Sequence, residues 1–175
     1  MKDGEENNAK CEVIENGVSV QRNWSELQVG WIVCVRENEY FPADLVVISS
    51  SGEEGLCYVE TKNLDGETNL KNKVAPKQLN AYLRENLRLI DLKDIEIICE
   101  IPNKDLYKFD GKMSLPTRVS PTKDVIPLSN DNVLLRGMSL RNTEFAYGIV
   151  IYTGPETKIQ KNSLRTKYKM SKIMH

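Results

Sequence analysis

Cys57-Tyr58-Val59-Glu60-Thr61-Lys62-Asn63-Leu64-Asp65-Gly66-Glu67-Thr68-Asn69, residues 57–69, carries a strand-like run into an acidic turn. Cys57 to Thr61 is apolar and β-branched at alternate positions, as a half-buried strand is. Gly66 then allows a positive φ at little steric cost, which predicts a tight turn. A tight turn pushes its side chains out of the scaffold, so Asp65 and Glu67 are expected together at a loop tip. An exposed carboxylate there can position water, accept a proton or hold a cation. On spacing alone a solvated acidic turn remains an open alternative, since Asp-Gly is also a common hairpin turn.

Outward from this turn the pattern stays mainly β. Val18 and Val20 alternate with polar residues, and Trp31–Val35 and Leu45–Ile48 are apolar and rich in β-branched residues. Pro42 separates the last two. Asn23-Trp24-Ser25-Glu26 fits a capping box at the start of one helical turn. Residues 76–88 change period: Leu79, Tyr82, Leu83 and Leu87 share one helical face, and Pro76 sits where a first-turn proline is tolerated. Strand character returns at Ile95, Ile97, Cys99 and Ile101, alternating with the acids Glu96 and Glu100. Asp110-Gly111 predicts a hairpin turn within 107–115, and the three prolines of 116–129 predict a loop. Val133–Arg136, Met138–Arg141 and Phe145–Tyr152 read as closing strands. Many short strands with one modest helix predict a mainly β domain of β-sandwich or jelly-roll type.

The chain has 175 residues and no linker-like tract, which predicts one domain. Lys and Arg total 24 against 25 Asp and Glu, a net charge of −1, and that balance argues against nucleic-acid binding. Residues 1–16 are acidic. From Glu156 onward Lys158, Lys161, Arg165, Lys167, Lys169 and Lys172 meet one acid, which suits either a solvated tail or an approach to an anionic membrane surface. No apolar stretch approaches the roughly 20 residues of a spanning helix, and the polar N-terminus is unlike a signal peptide. Cys11, Cys34, Cys57 and Cys99 are singly spaced, so they predict reduced thiols in strands rather than a zinc site. The only histidine is His175, which leaves carboxylates, hydroxyls and lysines to carry any chemistry.

Several rival sites fail on chemistry. Asp65 and Glu67 on one turn are poorly placed to flank a sugar. The neighbouring residues lack the spacing of a calcium loop. Gly154-Pro155-Glu156-Thr157-Lys158 lacks the glycine pattern of a phosphate loop and reads as a turn. Arg136 and Arg141 flank Gly137 and are expected to pair with a neighbouring strand, with phosphate binding as the alternative. Asp44 is expected to cap its own turn.

Phe41-Pro42-Ala43-Asp44-Leu45, Tyr58-Val59-Glu60-Thr61 and Asn63-Leu64-Asp65-Gly66-Glu67-Thr68-Asn69-Leu70-Lys71 together resemble the actuator domain of type IV P-type ATPases, the phospholipid flippases. Pro102-Asn103, Leu106-Tyr107, Phe109-Asp110-Gly111, Leu134-Leu135-Arg136-Gly137, Leu140-Arg141-Asn142-Thr143, Tyr152-Thr153-Gly154 and Thr157-Lys158 extend the likeness over roughly residues 18–169. Ion-pumping relatives usually carry Thr-Gly-Glu-Ser at the turn, and Asp-Gly-Glu-Thr is similar to the lipid group. The likeness departs at Trp31, where the family often has an acid.

The resemblance implies a distorted jelly-roll, double-stranded β-helix-like actuator domain with one or two short helices. It implies an acidic segment at 1–16, a β core at 17–155 and a basic linker at 156–175 running toward a membrane helix. It implies that Glu67 activates water against a phosphoaspartate on another domain, with Asp65 and Thr68 holding the loop or the water and Gly66 allowing close approach. It further implies a larger cytosol-facing parent, of which this chain is a piece. That parent uses ATP and Mg2+, moves a phospholipid, contains phosphorylation and nucleotide-binding domains and membrane helices, and can take an accessory membrane glycoprotein. The rival reading is a non-catalytic β-sandwich interaction or regulatory module, a pseudo-pump domain with the acidic turn as its epitope.

Overall fold

All seven residues of Asp44–Ser50 (β4) are buried. A strand with no exposed face is covered on both sides, which places it inside the molecule. In the computed structural model, which describes residues 9–86 and 95–162, β4 lies second in a six-stranded antiparallel sheet. The other strands are Lys10–Glu15 (β1), Val18–Asn23 (β2), Ile32–Arg36 (β3), Val133–Leu134 (β10) and Phe145–Tyr152 (β12), in the order β10-β4-β12-β3-β1-β2. A three-stranded sheet joins Leu56–Glu60 (β5), Lys71–Val74 (β6) and Ser139–Arg141 (β11) in the order β11-β5-β6. A second joins Glu96–Cys99 (β7), Gly111–Ser114 (β8) and Val125–Leu128 (β9) in that order.

Residues from all three sheets meet in one apolar core. The helix Lys77–Asn86 (α2) covers β4 with Leu79 and Leu83, as its helical period predicts. Its buried Asn80 accepts from the Ser49 hydroxyl (2.9 Å) and the Ser50 N–H (3.1 Å). The mainly β expectation is met, and the capping box closes a 3-10 turn at Trp24–Glu26. All four cysteines lie in strands, and burial pushes the thiols of Cys34 and Cys57 up to about 12. Leu87, the acids before position 8 and the basic residues from Arg165 onward lie outside the described residues.

Three local readings differ from the structure. The acidic leader contains β1, whose Cys11, Val13 and their alternating charged neighbours pair with β2 and β3. Glu15 and Glu12 bind Arg22 and Arg36 across the strands, both at 3.1 Å, so these acids belong to a sheet surface. Asp110-Gly111 is not a hairpin turn. Gly111 opens β8 opposite Cys99 and Leu128, and a Cβ there would stand 3.0 Å from the Cys99 Cβ. The glycine serves close packing rather than a turn. The proline-rich loop contains β9, with Pro127 tolerated because β9 is an edge strand.

Gly148 fixes how closely β12 can approach β4. A Cβ at this position would lie 2.8 Å from the Cβ of fully buried Leu45 and 3.3 Å from the Val46 carbonyl oxygen. Gly148→Ala is therefore expected to cost about 1–3 kcal/mol of stability. Denaturant unfolding checks this, and an unchanged midpoint would mean that the two strands can separate freely.

Candidate functional site

The acidic turn connects β5 to its antiparallel neighbour β6, but it is longer than a hairpin turn. Thr61 is buried at the end of β5, and Lys62–Asp65 (α1) makes a single helical turn. The N–H of Asp65 bonds the Thr61 carbonyl at 3.1 Å, and that of Gly66 bonds the Lys62 carbonyl at 2.8 Å. Gly66 ends the turn at φ 75°, the left-handed cap that glycine adopts without a Cβ penalty. A Cβ on Gly66 would have nothing within 4 Å, so the space in front of it is open. The backside of α1 is held differently. Leu64 packs over Gly137, where an added Cβ would come within 3.2 Å of Leu64 and 3.1 Å of Ile159.

The two acids occupy different environments. Asp65 is half-buried and gathers donors from three places. The Thr61 hydroxyl lies 3.0 and 3.1 Å from its two oxygens, the Glu67 N–H lies 2.9 Å from Oδ1, and the Tyr107 hydroxyl lies 2.5 Å from Oδ2. Burial raises the Asp65 pKa, but the bonds from Tyr107, Glu67 and Thr61 outweigh it and bring it down to about 2. The Glu67 carboxylate is half exposed, pairs with the Lys71 ammonium at 2.9 Å and lies beside the Asp65 carboxylate. The ion pair raises the Lys71 pKa. Thr68 is exposed, as are its neighbours Glu67 and Asn69.

This arrangement gives the loop a fixed anion and a presented one. Asp65 stays ionised and has its oxygens committed to the protein, so it shapes the backbone. Glu67 can exchange Lys71 for another partner. Tyr107 and Thr61 are site residues to which spacing assigns no role. Tyr107 is 42 positions from Asp65, and no local pattern reveals such a contact.

Other candidates separate clearly. Arg141 binds Glu60 on the neighbouring strand at 3.2 Å, as expected. Arg136 is buried with its guanidinium 5.7 Å from the centre of the Trp24 ring. These two residues line a cavity of about 440 Å³ with Tyr40, Asn63, Gly137, Ile159 and Gln160. Gly154–Glu156 is a 3-10 turn, and the following Lys158 is buried against Asn103 (2.8 Å) and Glu100 (3.3 Å). Lys158 is thus an internal ion-pair partner rather than part of an exposed basic tail, and it has no reach to a phosphate. Among the described residues no group of three or more His, Cys, Asp or Glu side chains could hold a metal ion. Nor is any helix among them long and apolar enough to cross a membrane.

Asp44 does not cap its own turn. It is buried at the head of β4 and accepts the N–H of Arg136 at 3.0 Å and that of Lys158 at 2.8 Å. Desolvation raises its pKa to about 6 against these bonds.

A family model for the P-type ATPase actuator domain matches residues 5–166. Over 174 residues the chain is 48% identical to the probable phospholipid-transporting ATPase 12 of Arabidopsis thaliana, covering 99% of this chain and 14% of that protein. It is 43% identical over 171 residues to phospholipid-transporting ATPase IC of Homo sapiens, covering 98% of this chain and 13% of that protein. The chain therefore spans only a small part of these relatives. The crystal structure of a zinc-transporting PIB-type ATPase in the E2.Pi state aligns with 87% of this chain and 15% of its own, at 10% identity and a TM-score of 0.48.

The environment of Asp44 has a measurable signature. Its folded pKa near 6 lies above the ordinary 3.8, so between these values the folded state holds a proton that the unfolded state has lost. Its contribution to stability is greatest below the lower value and declines as pH rises to about 6. Unfolding free energy measured from pH 4 to 6 should thus slope more positively in Asp44→Asn than in the wild type. Equal slopes would mean that Asp44 ionises as it does in the unfolded chain.

Proposed function

The chain belongs to the P-type ATPase actuator domain family, and we propose that it serves a phospholipid-transporting ATPase by completing the hydrolysis of an aspartyl phosphate held on another domain. The observation that carries this reading is the division of labour in the Asp65-Gly66-Glu67-Thr68 loop. Asp65 is tied down by Thr61, Tyr107 and the Glu67 N–H, whereas the Glu67 carboxylate is half exposed and held by an exchangeable ion pair with Lys71. An attacking water needs a carboxylate that orients it and takes its proton, and Glu67 has the freedom to do both. The open space before Gly66 supports close approach by a phosphoryl group. Thr68, exposed next to Glu67 in the chain, assists in holding the water in this reading.

The names of the relatives support the phospholipid as cargo of the parent protein. In this reading the ATP and Mg2+ bind elsewhere in the parent. The domain acts at a phosphoaspartate that another domain carries, on the cytosolic side of the membrane. It swings as a rigid body to deliver Glu67, and the swing is coupled to membrane helices through the chain's basic end, from Lys161 onward. Residues 1–175 act as one unit in this scheme.

In the full-length ATPase, Glu67→Gln should leave phosphoenzyme formation intact and slow its decay by roughly 10²–10⁴-fold, the usual range for loss of a general base. A chase of radiolabelled phosphoenzyme measures this directly. Decay at the wild-type rate would remove Glu67 from the assigned role.

A further inference from the structure

The connection from β7 to β8, residues 100–110, is irregular yet tightly held. Glu100 and Asp110 close its base, with the Glu100 N–H bonding the Asp110 carbonyl at 3.0 Å and the Asp110 N–H bonding Glu100 Oε1 at 2.7 Å. The Tyr152 hydroxyl donates to the Glu100 carbonyl at 2.5 Å. Inside the connection, Asn103 donates to Glu100 and accepts the Asp105 N–H at 3.0 Å. Phe109 is buried, and Leu106 packs against the core. The C-terminal segment grips the same connection twice. The Lys158 ammonium reaches Glu100 and Asn103, and the Asn162 side chain donates to the Lys104 carbonyl at 3.1 Å.

Out of this braced connection one side chain reaches the acidic loop. Tyr107 is half exposed, and its hydroxyl is the donor on the outer oxygen of Asp65. Asp65 Oδ1 in turn accepts the Glu67 N–H, which fixes the backbone from which the Glu67 carboxylate projects. A phenol standing in water has little reason to stay on one carboxylate unless its backbone is held. The bracing at Glu100, Asn103 and Lys158 supplies that hold.

We propose that Tyr107 is a positioning residue for Glu67, acting through Asp65 and set in register by the grip of Lys158 and Asn162 on residues 100–110. The inference rests on the dephosphorylating role given to the loop above. It adds that the direction of Glu67 depends on a contact from a different sheet, and that the segment after β12 sets that contact. The charged and titratable groups facing Asp65 are Glu67 and Lys71 from its own loop and β6, and Tyr107 from the braced connection. Burial and the bond to Asp65 push the Tyr107 phenol up to about 12, so it remains a donor throughout the neutral range.

Tyr107→Phe deletes the hydroxyl alone, at a half-exposed position where folding is not at risk. Carboxyl-detected NMR titration of the 175-residue chain should show the Asp65 midpoint rising from about 2 toward the ordinary 3.8, with the amide spectrum of the β core unchanged and the thermal midpoint lowered at neutral pH by the loss of that depression. In the full-length ATPase the same variant should slow phosphoenzyme decay by roughly 10- to 100-fold while phosphoenzyme forms normally. An unshifted Asp65 titration overturns the proposal, because Tyr107 then does not hold Asp65. A shifted titration with normal decay in Tyr107→Phe, alongside slow decay in Glu67→Gln, overturns the positioning role and leaves the loop's function standing. Normal decay in both variants overturns the functional reading and this inference together.

Discussion

Asp44 puts a carboxylate at the buried head of β4, and two distant segments end on it. The N–H groups of Arg136 and Lys158, 92 and 114 positions away, bond its two oxygens. A buried carboxylate left without partners would cost several kcal/mol, so each donor is as necessary to the acid as the acid is to the segment. Both supports of the acidic loop lead back to this group. Arg136 fixes the turn at Gly137 on which Leu64 of α1 rests, and Lys158 begins the segment that grips residues 100–110. The acid is on the opposite end of β4 from Ser49 and Ser50, where Asn80 ties down α2. Polar groups thus pin both ends of a strand whose middle is held by apolar packing and by its pairing with β10 and β12.

The long apolar strands were legible because burial on both faces leaves an unmistakable run, as in Leu45–Ile48, and α2 was legible because Leu79 and Leu83 repeat at helical spacing. What misled were residues whose local chemistry is ambiguous. Asp110-Gly111 has the composition of a turn, but the glycine is needed for close contact with Cys99 across β7. Pro127 reads as a strand breaker, yet an edge strand can spare the missing N–H. Glu12 and Glu15 read as a charged leader because their partners Arg22 and Arg36 become neighbours only once the sheet has formed.

The candidate site divided along the same line. The glycine cap and the exposure of Glu67 follow from local conformational preference, and the family likeness of residues 63–71 rests on consecutive residues. The roles of Tyr107 and Lys158 rest on contacts spanning 42 and 58 positions, and pairwise separation of that size leaves no periodic trace. Lys158 is the sharper case. Counted with its basic neighbours it looks like a solvated charge, but only the fold brings Glu100 and Asn103 around it and makes burial of an ammonium tolerable.

The pairing of Glu67 with Lys71 has a mechanical consequence. An exposed ion pair in water is weak and readily exchanged, whereas the bonds on Asp65 come from three independent anchors. Compliance is therefore concentrated in one side chain at the end of a stiff mount. A mount of this kind tolerates error in how two bodies meet, because the final ångström of alignment is taken up by rotation about the Glu67 side-chain bonds and not by bending of the β scaffold.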